Sequence, residues 1–86
     1  MKTSIEITLM PLNSDYQEII KEFIVSLRNE DFKIIENPLS TQIYGDFDKM
    51  MNSLIFRIKK YFSIHEGIII NLKIVNGDRS TYKPNF

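Results

Sequence analysis

Few side chains in this sequence could carry out chemistry, and each of them lacks the companions that a reaction would need. His65 is the only histidine, and beside Glu66 it has no cysteine and no second histidine with which to bind a metal ion. Ser40 and Thr41 offer hydroxyls, but neither a glycine-bounded elbow nor a neighbouring histidine would activate one as a nucleophile. We therefore predict a protein that is not an enzyme and that holds no metal and no cofactor.

The charges of the chain restrict its partners. Eleven Lys and Arg residues balance eleven Asp and Glu residues among 86, so no net field draws the protein to nucleic acid or to an anionic membrane. Asp46 and Asp48 lie at a predicted helix start, where capping and the helix dipole account for both carboxylates. No segment looks like a signal peptide or a membrane span, and no cysteine is available for disulfides. We expect a cytoplasmic protein with no nucleic-acid and no membrane partner.

A strand and a helix are predicted in the first third of the chain. Residues 4–10 alternate between apolar and polar side chains, which is typical of a half-buried strand. Ser14 and Gln17 have the spacing of a capping box, and apolar residues recur at helical spacing behind them. The pattern predicts a helix from about Asp15 to Asn29.

A hairpin and a second helix are predicted next. Phe32–Ile35 forms a short strand, Asn37-Pro38 marks the turn, and Thr41–Gly45 forms the third strand. Asp46 is a suitable N-cap for the helix that follows. The broad apolar stripe of that helix consists of Phe47, Met50, Met51, Leu54, Ile55, Ile58, Tyr61 and Phe62.

The end of the chain carries the last strand and a tail. Residues 68–75 begin apolar on both faces, which predicts a central position in a sheet. Phe56 projects from the opposite side of the second helix, and we expect it to have no partner within the chain. The tail from Asp78 to Phe86 is mostly polar, and it is predicted to fray or to form a short extra strand after the Asn76-Gly77 turn.

The order strand, helix, strand, strand, helix, strand predicts an α+β fold, the ferredoxin-like βαββαβ sandwich. Its four-stranded antiparallel sheet would carry both helices on one face, with residues 1–79 as a single domain and residues 80–86 as a polar tail. The uncovered face, called the open face below, would carry Glu6, Thr8, Met10, Gln42, Tyr44, Ile69, Asn71, Lys73 and Val75. This mixture suits a second subunit or a small ligand, so we expect a homo-oligomer.

Two activities found on this strand order are disfavoured. An RNA-recognition motif stacks bases on aromatic residues of its central strands, but here Tyr44 has no aromatic cluster and no flanking basic residues. A small-acid phosphatase of the same fold needs an arginine and a glycine-rich anion cradle after the first strand. This chain has Leu12-Asn13-Ser14 at that place.

Three segments of the chain resemble the thiamine-binding YkoF-like family. The stretch Pro38–Phe47 resembles the family's hairpin, in which the third strand begins with a small polar residue and threonine and ends in glycine, acid and aromatic. The segments Leu9–Leu12 and Ile70–Arg79 also look like that family, so the resemblance covers about residues 4–79. The order of these segments, rather than any one of them, carries the resemblance.

The resemblance implies a cytoplasmic subunit that assembles into dimers or tetramers and binds thiamine, or its hydroxymethylpyrimidine part, without chemical turnover. Carried over by position, Ser40 and Thr41 would lie near the pyrimidine, and Tyr44 and Asn71 would complete the site. Hydroxyls and amides both donate and accept, as the edge of an aminopyrimidine requires, and an aromatic ring could stack on the ligand. Because the sequence has no anion cradle, we expect the unphosphorylated vitamin or pyrimidine to bind better than the diphosphate.

Each of these residues also has a purely structural interpretation. Ser40 and Thr41 could bond to the backbone of the hairpin, Asn71 could pair across the sheet, and Tyr44 could pack in a subunit interface. The alternative function is therefore an oligomeric structural or regulatory module that binds another small effector or none. A response of thermal stability to thiamine would separate the two hypotheses.

Overall fold

The computed structural model of this chain describes residues 1–28 and 30–86. Its elements are β1 (Lys2–Pro11), α1 (Tyr16–Leu27), β2 (Lys33–Glu36), β3 (Thr41–Asp46), α2 (Phe47–Ile64) and β4 (Ile68–Asn76). The strands form one antiparallel sheet in the order β2-β3-β1-β4. The predicted α+β ferredoxin-like fold is confirmed. No helix in the described part of the chain has the length and apolar character needed to cross a membrane.

The register of the sheet explains where the core lies. Ile5 is opposite Ile43 on β3 and Ile74 on β4, so these side chains point to the same face, which the helices cover. The ring of Phe23 on α1 meets the ring of Tyr61 on α2 edge-to-face, with centroids 5.4 Å apart. The buried apolar residues of the core are Ile5, Ile7, Ile19, Phe23, Leu27, Ile43, Met50, Leu54 and Tyr61.

The two helices begin differently. Asp46 caps α2 as predicted, because its carboxylate accepts a hydrogen bond from the backbone N–H of Lys49 at 3.3 Å. The predicted capping box of α1 is wrong: Asp15 is the N-cap and makes no side-chain capping bond. Ser14 and Gln17 are therefore one residue out of register with the capping positions. The helix ends at Leu27, and its predicted last residue, Asn29, lies outside the described residues.

The central position predicted for the last strand is wrong. Within the described residues β4 pairs only with β1 and lies at the edge of the sheet. Three of its apolar side chains are consequently exposed in part, on the two faces of the sheet: Ile69 is 43% exposed, Leu72 37% and Ile74 46%. Ile68 and Ile70 are partly buried and pack against the core. The run of apolar residues that suggested a central strand thus lies at an edge. Within the described chain it has β1 on one side and no strand on the other.

The apolar stripe of α2 is only partly covered. Met50, Leu54 and Tyr61 are buried, but Ile55 and Phe62 are 59% and 51% exposed. These five residues belong to the single apolar stripe that the sequence predicts for this helix. In the structure, one flank of that stripe faces solvent. Phe56 is 69% exposed, which confirms the expectation that it has no partner within the chain.

The start of the tail bends back and is fastened to β1. The Ser4 hydroxyl donates to the Gly77 carbonyl at 2.7 Å and accepts from the Arg79 N–H at 2.9 Å. The Gly77 N–H donates to the Lys2 carbonyl at 2.9 Å. The prediction of fraying or of an extra strand for the tail is therefore wrong at its first residues, Asp78 and Arg79, because the nearly buried Ser4 hydroxyl holds Arg79 in place.

A polar network joins the two helices. The guanidinium of Arg57 on α2 donates to the Ser26 carbonyl at 2.9 Å, to the Ser26 hydroxyl at 3.1 Å and to the Ser53 hydroxyl. It also lies 2.7 Å from a carboxylate oxygen of Glu30, and the Arg57 side chain is only 14% exposed. This contact fixes the C-terminal half of α1 against α2.

Candidate functional site

A cavity of about 160 Å³ lies between α1 and the β2–β3 hairpin, and we call it the hairpin pocket. The first strand supplies residues 7–9 and the hairpin supplies residues 37–41, and the apolar wall from α1 consists of Ile20, Phe23, Ile24 and Leu27. An apolar cavity of about 150 Å³ accepts a benzene ring. The hairpin pocket therefore has room for one six-membered ring.

Thr41 brings a polar group into this apolar space. It lies opposite Ile7, so its side chain shares the helix-covered face, and the residue is 6% exposed. No hydrogen bond of its hydroxyl is present within residues 1–28 and 30–86. No side-chain polar atom in that same part of the chain is both buried and unpartnered. The Thr41 hydroxyl thus keeps an open side at the pocket, where a ligand could bond to it.

Ser40 also lines the hairpin pocket, but its hydroxyl is engaged elsewhere. It donates to a carboxylate oxygen of Glu6 at 3.0 Å, and Glu6 lies on the open face, opposite Gln42 and Lys73. Successive side chains of an extended chain point to opposite faces. The hydroxyls of Ser40 and Thr41, which were predicted to bind the same ligand, therefore point to opposite faces of the sheet.

Tyr44 lines a different depression, which we call the tail cleft. Its volume is about 520 Å³, and its lining residues are Ile35, Gln42, Tyr44, Arg79, Ser80 and Tyr82. The Tyr44 hydroxyl donates to the Gln42 side-chain oxygen at 2.8 Å. Burial raises the pKa of Tyr44, and the charges of Asp78 and Glu6 raise it further. This tyrosine thus remains neutral at physiological pH.

Asn71 belongs to neither depression. It lies on β4 opposite Thr8, exposed on the open face. Of the predicted site residues, the structure brings together Ser40 and Thr41 around the hairpin pocket and leaves Tyr44 and Asn71 apart from it.

Sequence reasoning did not assign the remaining lining residues to a site. Asn37 was singled out only as a turn residue, although its position beside Pro38 places it on the hairpin pocket. Tyr82 and Arg79 join the tail cleft only because the tail bends over the open face, and nothing in their local sequence indicates this. Among residues 1–28 and 30–86, no three His, Asp or Glu side chains are grouped as a metal site would require.

The fold is shared with proteins of known structure. No family model matches the chain, and no curated protein sequence matches it at a significant level. A Streptococcus pneumoniae protein is similar with a TM-score of 0.83 and 25% identity, over 94% of this chain and 92% of that one. A Thermotoga maritima protein, provisionally described as a thiamine biosynthesis/salvage protein, has a TM-score of 0.80 and 19% identity, over 90% and 85%. A DUF77 domain of unknown function from Bacillus cereus has a TM-score of 0.75 and 12% identity, over 96% and 83%. These likenesses show that the α+β ferredoxin-like fold of this chain is shared, at low sequence identity.

Proposed function

We propose that this protein binds thiamine or its hydroxymethylpyrimidine part reversibly, in the cytoplasm, as a carrier, buffer or sensor. The observation that carries the proposal is the ring-sized hairpin pocket, in which the nearly buried Thr41 hydroxyl meets apolar walls. The thiamine-related neighbour in Thermotoga maritima lends weaker support, because the likeness to it extends only to the fold.

The pocket chemistry suits the pyrimidine of the vitamin. Its apolar walls would contact the two faces of the ring, and the Thr41 hydroxyl would pair with one of the polar groups at the ring edge. The side-chain amide of Asn37 offers a further donor and acceptor at the hairpin. At about 160 Å³ the pocket is too small for both rings of thiamine, so the thiazolium would remain outside it.

The pocket also favours the unphosphorylated ligand. Among residues 1–28 and 30–86, those that line the pocket include no Lys, Arg or His, so none of them would supply a cation to balance a diphosphate. His65 lies at the C-terminal end of α2 with its ring stacked on Tyr61, their centroids 6.1 Å apart, and it is not among the lining residues. We therefore propose capture without turnover, because the Thr41 hydroxyl has no base beside it in the lining.

Calorimetry with three ligands tests this proposal. Hydroxymethylpyrimidine and thiamine should bind with similar affinity, and thiamine diphosphate more weakly. Thr41→Val leaves the polar edge of the ring unpaired, which costs about 1 to 2 kcal/mol and weakens binding about 5- to 30-fold. The matched control is Thr3→Val, which removes the hydroxyl of another buried threonine at the far end of the same face.

Three results would count against the proposal. Tighter binding of the diphosphate would show that the charge argument is wrong. An equal loss of affinity in Thr41→Val and Thr3→Val would remove Thr41 from the site. No rise in melting temperature at millimolar thiamine or pyrimidine would favour the alternative, an oligomeric interaction module, for which the exposed apolar side chains of α2 and β4 are the motivating observation.

A further inference from the structure

The C-terminal tail forms one wall of the tail cleft on the open face. Beyond Gly77 the chain crosses β1 at Ser4, whose hydroxyl bonds to the Gly77 carbonyl and to the Arg79 N–H. The lining residues on the β2–β3 hairpin are Ile35, Gln42 and Tyr44, and those on the tail are Arg79, Ser80 and Tyr82. The volume of about 520 Å³ lies within the range of about 300 to 1,000 Å³ that is usual for small-molecule sites. The cleft therefore has room for a ring with a substituent.

Arg79 brings to this cleft a positive charge that no acid balances. Its backbone N–H donates to the nearly buried Ser4 hydroxyl at 2.9 Å, which fixes the residue on the sheet. Arg28 and Arg57 each form an ion pair with a glutamate, but within the described chain the Arg79 guanidinium forms neither an ion pair nor a hydrogen bond. A planar guanidinium with five N–H donors matches the two oxygens of a carboxylate. Arg79 therefore favours an anionic ligand.

Two carboxylates lie near this cleft, and each already has partners of its own. One oxygen of Glu6 accepts from the Ser40 hydroxyl at 3.0 Å, and the other lies 3.7 Å from the Lys73 ammonium. An oxygen of Asp78 accepts from the Ser80 N–H at 2.9 Å, and the hydrogen bonds from Ser80 hold the pKa of Asp78 below its usual range. Both acids are thus bonded to other groups and leave the guanidinium to a ligand. Their charges disfavour a ligand with more than one negative charge.

The other lining groups suit a planar ring. The Tyr44 hydroxyl donates to the Gln42 side-chain oxygen at 2.8 Å, so the Gln42 amide has its N–H donors left for a ligand. Tyr82 is 71% exposed, so most of its ring is uncovered, and Ile35 adds an apolar side chain to the hairpin wall. Aromatic rings pack favourably against one another, either stacked with an offset or edge-to-face. The cleft thus combines ring surfaces with donors for an anion.

We propose that the tail cleft is a second binding site of this protein, for a small planar ring that carries one carboxylate. The Arg79 guanidinium pairs with the carboxylate through two parallel hydrogen bonds, the strong geometry for this kind of ion pair. The Gln42 amide donates to the same carboxylate, and the rings of Tyr44 and Tyr82 pack against the ligand ring. This site is independent of the hairpin pocket, which lies on the helix-covered face of the sheet.

A phosphate monoester fits the tail cleft less well than a carboxylate does. Phosphate carries about 1.5 to 2 negative charges at pH 7, whereas Arg79 is the one cationic residue in the described lining. Phosphate sites commonly use a helix N-terminus or a glycine-rich backbone, and the described lining includes neither. A singly charged carboxylate therefore matches the site better.

Titration with benzoate and phenylacetate, followed by the amide signals in NMR spectra, tests this site. Both should bind with a dissociation constant of about 1 mM or lower and shift the signals of Gln42, Tyr44 and Arg79. Benzyl alcohol has the ring without the charge and should bind at least about tenfold more weakly. Phenyl phosphate should also bind more weakly. No binding of either carboxylate, shifts confined to the hairpin pocket, or tighter binding of phenyl phosphate would overturn the proposal.

One substitution on the tail and a matched control test the role of the guanidinium. Arg79→Met keeps the apolar stem of the side chain and should weaken benzoate binding at least about tenfold. Lys83→Met removes a cation from the same tail, at a residue outside the described lining, and should leave benzoate affinity unchanged. Equal losses in the two variants would indicate a general effect of charge and would refute the site. Arg79→Met should bind thiamine as the wild type does, so failure of the tail cleft and failure of the hairpin pocket are read from separate titrations.

Amide hydrogen exchange tests whether the tail takes part in binding. The Arg79 N–H is bonded to the Ser4 hydroxyl, so it exchanges when the tail lifts from the sheet. Benzoate at about ten times its dissociation constant should slow this exchange about tenfold, because it binds only when the tail is docked. The control is the Leu12 N–H, bonded to the Gly67 carbonyl beyond the other end of β1, which should exchange at an unchanged rate. An unchanged rate at Arg79, or equal slowing at both amides, would show that the ligand does not use the tail and that the proposal is wrong.

Discussion

Replacing Arg57 by methionine tests whether one guanidinium on α2 holds in place α1, the helix that forms the apolar wall of the hairpin pocket. Methionine keeps the length and apolar stem of the side chain but removes every bond of the guanidinium to Ser26, Ser53 and Glu30. The Ser26 carbonyl and hydroxyl lie between the pocket-lining residues Phe23 and Leu27 of α1. The contact therefore stabilises both the fold and one wall of the proposed site.

The size of the effect follows from the burial of this contact. A hydrogen bond to a charged group contributes about 1.5 to 3 kcal/mol net, and several bonds to one guanidinium do not add fully. Water can replace part of the interaction, because the Glu30 side chain is 32% exposed. We expect Arg57→Met to lower the free energy of unfolding by about 2 to 3 kcal/mol, which for a domain of this length lowers Tm by about 10 to 20 °C.

Arg28 provides a matched control. Its guanidinium forms two short bonds to the Glu36 carboxylate, 2.6 and 2.7 Å long, but the Arg28 side chain is 55% exposed. Exposed ion pairs stabilise proteins very little, so Arg28→Met should leave the midpoint of urea unfolding, followed by circular dichroism, almost unchanged. Equal losses in the two variants, or a loss below about 1 kcal/mol in Arg57→Met, would refute the argument that burial decides the contribution.

Three further predictions concern other parts of the molecule. The hydrogen bond from Ser53 is the largest cause that lowers the pKa of Glu30. The ionised Glu30 carboxylate therefore contributes fully to folding stability above the ordinary carboxyl pKa, and this contribution is lost as the pH falls through the lowered pKa. Glu30→Gln should therefore flatten the acid limb of a plot of Tm against pH, and an unchanged limb would contradict this. Ser4→Ala should release the tail, costing about 1 to 2 kcal/mol and speeding amide exchange at Arg79; unaltered protection there would show that another contact holds it. Gly67→Ala should cost about 1 to 2 kcal/mol, because the backbone has a φ of +71° at this residue, and a neutral effect in urea unfolding would show that the turn relaxes.

Local patterns in the sequence predicted the elements well where the determining contacts are close along the chain. The alternation around Ile5 and Ile7 predicted a strand with its apolar side on the core, and both residues are buried. The capping residue Asp46 was predicted from its type and position, and its carboxylate bonds to the N–H three residues ahead. The predicted N-cap of α1 was wrong by one residue, because several polar residues before Tyr16 could take the N-cap position.

The candidate site was predictable only in part. Ser40 and Thr41 were placed on the hairpin that forms the pocket, but the hydroxyls of adjacent residues diverge once the segment is extended. The apolar residues of α1 that complete the pocket could be assigned to a helix face, but not to a gap beside that particular hairpin. Tyr82 reaches the open face only because Ser4, distant in sequence, fastens the tail.

Periodicity, turn residues and helix capping thus determined the strand and helix types, their order and the face of each strand that meets the core, because these depend on neighbours within a few residues. Tertiary structure alone decided that an apolar strand lies at the edge, that part of the α2 stripe remains uncovered, and that the hairpin pocket is the size of one ring. Each of these depends on the distance between elements that are far apart along the chain. A residue pattern specifies which side chains face together, whereas the packing of whole layers decides how much space remains between them.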